Sequence, residues 1–513
     1  MQPLQHVMRC AIALLPAAAC ALILSACTYV PFETDRPVER AIPAEDTRIA
    51  RLVRSRTGGP GTDKVLLAPL TDGTDALGAR LRIIEQAERS IDLMTFLIKP
   101  DTAGALIWLE LYAAAERGVK IRLLYDDVFT SARDDEIATL DAHPNVEIRT
   151  FNPLSRNSTR TMNFLLDFER VNRRMHNKAM IVDGSLAIIG GRNIADEYFQ
   201  IRTKNEFADF DLLVAGGPVA DLSAAFDLFW NDTWAVRLAS LAEGDDTPLR
   251  DAQKEFLREA ESEEAVIYQR AVNAPYLRDL QTGREQSFPG TARVVVDTPG
   301  KLRNSPGKGP FTIGDSFYNT LMRAEDTVLV VTPYFVPEHY GAEVFEDLIA
   351  RGVRVRVATN SLAANNHPYV HGGYAPYRAR LLRSGVEFLE VRSDAPSLTI
   401  GVDTPLVLHS KLAIVDGRVL FVGSTNIDPR SIRQNTEIGM VVESEALAQG
   451  ILQRIEENSR DYAFSVQLDE KGDLIWRYDG MAGAEVFTDE PGATGWQKML
   501  AALAGWLPIE QQL

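Results

Sequence analysis

Beyond residue 27 the chain has no cysteine: all three, Cys10, Cys20 and Cys27, lie at the N-terminal end of 513 residues. No disulfide can staple the folded body, and with no paired-His spacing either, zinc chemistry is not expected. Long apolar runs are scarce. Cys10–Leu24 is too short for a comfortable membrane span, and no later segment approaches that length. A Walker-type Gly-Lys-Ser/Thr loop is absent, which argues against nucleotide binding. Positive charge is in deficit, with 54 Lys and Arg against 71 Asp and Glu, a net charge of −17. So acidic a body is poorly suited to nucleic acid, whose phosphates demand neutralising cations.

The first 26 residues read as a secretory leader. Arg9 is the only charged residue before Glu33, and the apolar run ends in Leu24-Ser25-Ala26-Cys27. Small residues directly before a cysteine resemble the lipobox of bacterial lipoproteins. That resemblance makes Cys27 the lipidation point and puts the protein in the cell envelope, lipid-anchored and facing the periplasm. Thr28, in place of the aspartate linked with inner-membrane retention, favours the outer membrane.

With 45% hydrophobic and 24% charged residues the body is globular and long enough for two full cores. Residues 27–63, rich in Pro, Gly and mixed charge, read as a tether, with a structured body from about Lys64. The expected division is a first domain over 64–245, a charged connector over 246–290, a second domain over 291–460 and a C-terminal extension over 461–513. Within the extension, Trp496–Leu507 is amphipathic and reads as a helix closing the core rather than a membrane-inserted one.

The body says one thing twice. His176-Asn-Lys-Ala-Met-Ile-Val-Asp-Gly returns as His409-Ser-Lys-Leu-Ala-Ile-Val-Asp-Gly, and each copy continues at the same distance to an asparagine, Asn193 and Asn426. Nine of the twenty positions from His176 to Ala195 are identical in the second copy, with no insertion or deletion. His176 and Lys178 are two apart, as are His409 and Lys411, so on a strand each pair shares a face. Asp183-Gly184 and Asp416-Gly417 are turn signals at the end of that strand. Upstream, each copy offers strand, helix, strand: Ser90–Phe96 and Val119–Tyr125 in one, Thr327–Pro333 and Val353–Thr359 in the other. Alternating strands and helices predict α/β layers around a largely parallel sheet. Duplicated histidine, lysine and amide suit a phosphodiester. One His can attack phosphorus, the other can protonate the leaving oxygen, and two lysines can hold the anionic oxygens.

These residues resemble the phospholipase D superfamily, whose signature is His-x-Lys-x4-Asp followed by Gly-Gly or Gly-Ser and Asn. Here it is carried by Gly190-Gly191-Arg-Asn193 and Gly423-Ser424-Thr-Asn426. Asn172-Arg-Arg-Met-His-Asn-Lys178, Gly191-Arg-Asn-Ile-Ala-Asp-Glu-Tyr-Phe199, Ser361-Leu-Ala-Ala364, Asn426-Ile-Asp-Pro-Arg-Ser431 and Leu507-Pro-Ile-Glu510 resemble its cardiolipin synthase C-type branch. The resemblance implies two tandem phospholipase D-like α/β sandwich domains related by a pseudo-two-fold axis, with the site at their interface. It also implies cofactor-free phosphatidyl transfer between membrane phospholipids, phosphatidylglycerol first and phosphatidylethanolamine as a second candidate. His176 would form a phosphatidyl-histidine and His409 would move the proton, although the two histidines are not distinguished by the sequence itself. Lys178, Lys411, Asn193 and Asn426 would hold phosphate oxygens. Asp183 and Asp416 belong to the motif but read more strongly as turn residues that support it. Asp209 and Glu437 either orient the imidazoles or cap strands.

Water as acceptor would make the chain a hydrolase with the same residues. A nuclease and a silent envelope scaffold are further alternatives, opposed by the acidic body and by two intact motifs. An acceptor-lipid slot is expected between the last strand of the second unit and its motif, where Asn365, His371, Tyr374 and Arg378 fall. Arg378 is the expected partner of the acceptor phosphate, against the plainer readings of His371 and Tyr374 as surface loop and of Arg378 as a solvated surface charge. Asp126-Asp127 ends a strand and could face the site, against the plainer reading as a solvated loop.

Overall fold

A computed structural model describes residues 28–43, 46–58, 64–201, 205–258, 262–282, 287–305, 312–395, 405–480, 483–506 and 512. The leader, its Cys27 junction and Leu507–Glu510 lie outside the described residues.

The first copy contributes β1 (Val65–Leu70), β2 (Ser90–Thr95), β3 (Lys120–Asp126), β4 (Val146–Phe151), β5 (Ala179–Val182), β6 (Leu186–Gly190), β7 (Glu206–Ala208), β8 (Asp211–Gly216) and β9 (Ala235–Arg237). The second contributes β10 (Phe288–Val296), β11 (Thr327–Val331), β12 (Arg354–Asn360), β13 (Glu387–Val391), β14 (Leu406–Leu408), β15 (Leu412–Val415), β16 (Val419–Gly423) and β17 (Ile438–Glu443), followed by β18 (Ala463–Leu468), β19 (Leu474–Gly480) and β20 (Gly483–Phe487). In the first half the sheet runs β9-β4-β3-β2-β5-β6-β8-β1, and in the second β10-β17-β16-β15-β11-β12-β13-β18-β19-β20. The antiparallel seam of β1 with β10 joins them into one sheet of 18 strands.

The expectation of a largely parallel sheet is corrected. Within this sheet only β2-β3-β4 and β11-β12-β13 run parallel. The Asp-Gly turns after β5 and β15 reverse the chain, so both motif hairpins enter antiparallel. Asp183 and Asp416 take positive φ, 49° and 51°, and each is followed by a glycine in the same region, as so tight a reversal requires.

The expected tether is corrected as well. Residues 28–43 pack on the first half: Arg36 donates to the Trp230 and Ala235 carbonyls, and Glu39 accepts from Arg149 and the Trp230 indole. A helix, Arg48–Thr57, forms before Lys64 and is capped by the Thr47 hydroxyl. The connector holds three helices, Thr247–Arg258, Glu263–Val272 and Pro275–Thr282. The C-terminal stretch lends β18 to the edge of β13, and its helix Gly495–Trp506 buries Ala501 and Ala504. Among the described residues, no helix is long and apolar enough to cross a membrane. One apolar core spans both halves, with Val65, Phe226 and Trp230 packing in the same cluster as Leu329, Ile414 and Leu447.

Candidate active site

Each motif enters through an extended lead-in rather than on the strand proper: His176 and Lys178 precede β5, and His409 and Lys411 sit between β14 and β15. Each lead-in is bound to the other half. The His176 N–H donates to the Thr436 carbonyl at 2.9 Å, and the His409 N–H to the Ala208 carbonyl at 2.8 Å. A short parallel ladder of β7 with β14 adds to the second contact.

The carboxylates follow the same exchange. Glu437, from the second half, takes Nδ1 of His176 at 2.8 Å. Asp209, from the first, takes Nδ1 of His409 at 2.6 Å. Each imidazole is thereby turned with Nε2 away from its carboxylate, that of His409 lying 3.3 Å from the Lys411 amine. Both rings are nearly enclosed, His176 at 8% and His409 at 7% exposure. Phe96 meets His176 edge-on at 4.7 Å, while Phe207 stacks on His409 and Tyr198 meets its edge, both at 5.1 Å. Tyr198 also accepts from the Asn193 amide at 2.8 Å.

The electrostatics belong to one shared site. Burial pushes both imidazoles below the ordinary histidine range, and the lysines add to this, while Glu437 and Asp209 oppose it. Burial takes Lys178 down to about 7 and Lys411 down to about 8, against the pull of the same two carboxylates. Asp209 is held below its usual range by His409 and Lys411, and Glu437 by His176 and Lys178, in both cases against burial. Lys178 donates to the His176 carbonyl at 2.8 Å, and Lys411 sits 2.8 Å from Nδ1 of His409. The Oδ1 atoms of Asn193 and Asn426 are buried without a protein partner. Two imidazoles and two amines thus act on one another where the halves join, a cationic setting suited to an anionic phosphodiester.

The motif aspartates lie elsewhere. Asp183 accepts from the N–H groups of Glu88, Arg89 and Ser90, and Asp416 from those of Glu325, Asp326 and Thr327. They fix the chain entering β2 and β11 and do not reach the histidines.

The acceptor-slot reading is corrected. Residues Pro368–Ser384 form a helix, not a loop, and His371, Tyr374 and Arg378 are buried in it. Arg378 donates to Glu390 at 2.8 Å and to Glu490 at 2.5 Å, and its guanidinium packs over Trp476. The Tyr374 hydroxyl donates to the same Glu390, and His371 Nε2 lies 3.5 Å from Glu490. Already held by two carboxylates, Arg378 is a structural ion pair. Asn365 is also buried, and its carbonyl accepts from the His367 N–H.

Sequence reasoning passed over two positions that set the motifs. Asp126, read as a solvated loop residue, is fully buried; it takes Arg174 on both oxygens at 2.9 Å and the Met175 N–H at 2.9 Å. In the second half Asn360 accepts from the Leu408 N–H at 2.8 Å and donates to the Leu408 carbonyl at 2.9 Å. Both clamp the residue before the motif histidine. Their offset of 234 (360 less 126) nearly repeats the 233 (409 less 176) of the motifs, and that was the available signal.

The model of the family described as "Cardiolipin synthase, PLD-like domain" matches residues 81–211 and 317–458. The chain is 34% identical to cardiolipin synthase C of Escherichia coli K12 over 455 residues, 86% of this chain and 95% of that one. It is 25% identical to a cardiolipin synthase of Oceanobacillus iheyensis over 379 residues, 74% of this chain and 65% of that one. The crystal structure of phosphatidylserine synthase from Haemophilus influenzae superposes with a TM-score of 0.56, covering 90% of this chain and 99% of that one at 14% identity, a likeness of fold. With two matched segments lying on the two halves that build one site, the chain belongs to the cardiolipin synthase family of phospholipase D-like proteins.

Proposed function

We propose that the protein is a phosphatidyltransferase that makes cardiolipin from membrane phospholipids through a phosphatidyl-histidine intermediate. The observation that carries this reading is the exchange of partners across the halves: each His-Lys-Asn set is completed by the other half's carboxylate. Nε2 of His176, with its proton held at Nδ1 by Glu437, attacks the phosphorus of phosphatidylglycerol. The bond to the glycerol head group breaks, and His409 gives the departing oxygen its proton. His409 then takes a proton from the free glycerol hydroxyl of a second phosphatidylglycerol, whose oxygen attacks phosphorus as the bond to His176 breaks. Burial favours the neutral nucleophile. An incoming phosphate anion raises the proton affinity of His409, against burial and Lys411. Lys178, Lys411, Asn193 and Asn426 hold the non-bridging oxygens. Lipidation at Cys27 holds the enzyme on a periplasm-facing membrane surface, the outer membrane by preference.

Mass spectrometry of products tests the reaction. Phosphatidylglycerol alone gives cardiolipin and glycerol; added phosphatidylethanolamine, if used as donor, releases ethanolamine. His176→Ala and His409→Ala each reduce transfer by about a thousandfold or more, and an acid-labile phosphatidyl group is trapped on His176. Phosphatidic acid as the sole product, or activity of either variant within about tenfold of the parent, rejects the proposal.

A further inference from the structure

Large apolar side chains stand exposed on both flanks of the catalytic pair. The terminal helix Gly495–Trp506 packs its small face on the helix Pro368–Ser384; a Cβ on Gly372 would lie 2.3 Å from the Ala501 carbonyl oxygen. Its outer face carries Trp496, Met499, Leu503 and Trp506, spaced three, four and three apart, so that they form one stripe. Trp506 is 91% exposed. The stripe overhangs the site end of the second half, because Gln497 donates to the Leu362 and Ala363 carbonyls just past β12. Gln512, six residues beyond the helix, accepts from Asn172 at 2.8 Å and lies by Arg430, which bridges to Asn172.

The first half mirrors this with different residues. Phe129 on the loop after β3 is 52% exposed, and Leu165 and Phe168, between β4 and β5, are 73% and 50% exposed. Arg160 lies over the Phe129 ring, Phe129 packs on Phe96 at 5.2 Å, and Phe96 reaches His176. This exposed patch therefore leads ring by ring to a catalytic imidazole.

We infer that these two patches form a rim that seats on a phospholipid bilayer, presenting the cleft to lipids in the membrane plane. The inference rests on the proposed reaction, whose substrates are carried in a bilayer. With a net charge of −17, the body gains nothing from general attraction to an anionic lipid surface, so contact near the site must be apolar. Tryptophans at both ends of the stripe suit the headgroup boundary. A second protein copy seated on both flanks would instead cover the cleft that lipid must enter.

The full-length protein in phosphatidylglycerol vesicles containing brominated lipid provides the first test. Tryptophan emission is quenched, and in W496F/W506F the quenching falls to what half-buried Trp234 contributes, because Trp108, Trp230 and Trp476 are buried. The second test is kinetic. L165E and L503E, exposed positions whose thermal unfolding should match the parent, raise KM for vesicle phosphatidylglycerol by about tenfold. Their turnover of monomeric short-chain phosphatidylglycerol is unchanged. If the parent makes no cardiolipin from either lipid form, the proposed reaction fails. If it does, while quenching is absent and the variants match it on vesicles, the rim is wrong. A dimer in solution that L503E disperses would assign the stripe to a second copy and also overturn the inference.

Discussion

The two halves reach the same active geometry by different means. In the first, the residue before the histidine is clamped by a buried ion pair, Asp126 with Arg174; in the second, the neutral amide of Asn360 does the same work. The carboxylates differ as well. Asp209 approaches Gly191 so closely that a Cβ there would lie 2.1 Å from its Oδ1. The equivalent of Gly191 is Ser424, whose hydroxyl donates to the longer Glu437. The motif's choice between Gly-Gly and Gly-Ser thus follows the length of the acid beside it. Duplication preserved the positions of reacting atoms and left their supports free to change.

Removing one clamp at a time separates the halves most sharply. Asp126→Asn strands the Arg174 guanidinium in the interior and is expected to cost about 3–5 kcal/mol. Asn360→Ala loses neutral bonds and costs about 1–3 kcal/mol. Chemical denaturation of both variants checks the order, and equal losses would show that the charge in the first clamp is immaterial.

Exchanging the small residues tests the acids. Gly191→Ser displaces Asp209 and lowers kcat by about 10–100-fold, with little change in unfolding. Ser424→Gly removes one of the bonds to Glu437 and has a smaller effect. Steady-state kinetics on vesicle lipid measures both, and a larger loss from Ser424→Gly would reverse the assignment.

The smallest effect concerns pH. Lys178 and Lys411 hold protons less well in the folded protein, at about 7 and about 8, than at their ordinary value of 10.5. Between those values and 10.5 the unfolded chain binds more protons, so these lysines make stability rise as pH increases. Sulfate affinity falls over the same range, by at most roughly tenfold per pH unit for each lysine that loses its charge. Denaturation and calorimetric titration with sulfate follow the two opposite trends. Lys178→Met should remove the earlier part of the slope and Lys411→Met the later part.

Much of this was legible in the sequence because it is written twice. The histidines, lysines and asparagines share one offset, and the strand-helix-strand units before them carry ordinary periodicity. Sheet direction was not legible, because an Asp-Gly turn announces a hairpin without saying how many strands then run antiparallel. The helix Pro368–Ser384 was hidden by Pro368, Gly372, Gly373 and Pro376, which read locally as loop. Two of them have tertiary or capping reasons: Pro368 opens the helix, and Gly372 admits the terminal helix. Asp126 was misread because its partner Arg174 lies 48 residues on.

The crossing of partners also sets an order of events. Asp209 is synthesised 200 residues before the histidine it orients, and β1 cannot complete its pairing until β10 exists. The first half, folding as it emerges, carries His176 without Glu437, the carboxylate that holds its ring. The site is completed in one step, when the last-made half docks, so a partly made chain holds neither histidine with its carboxylate.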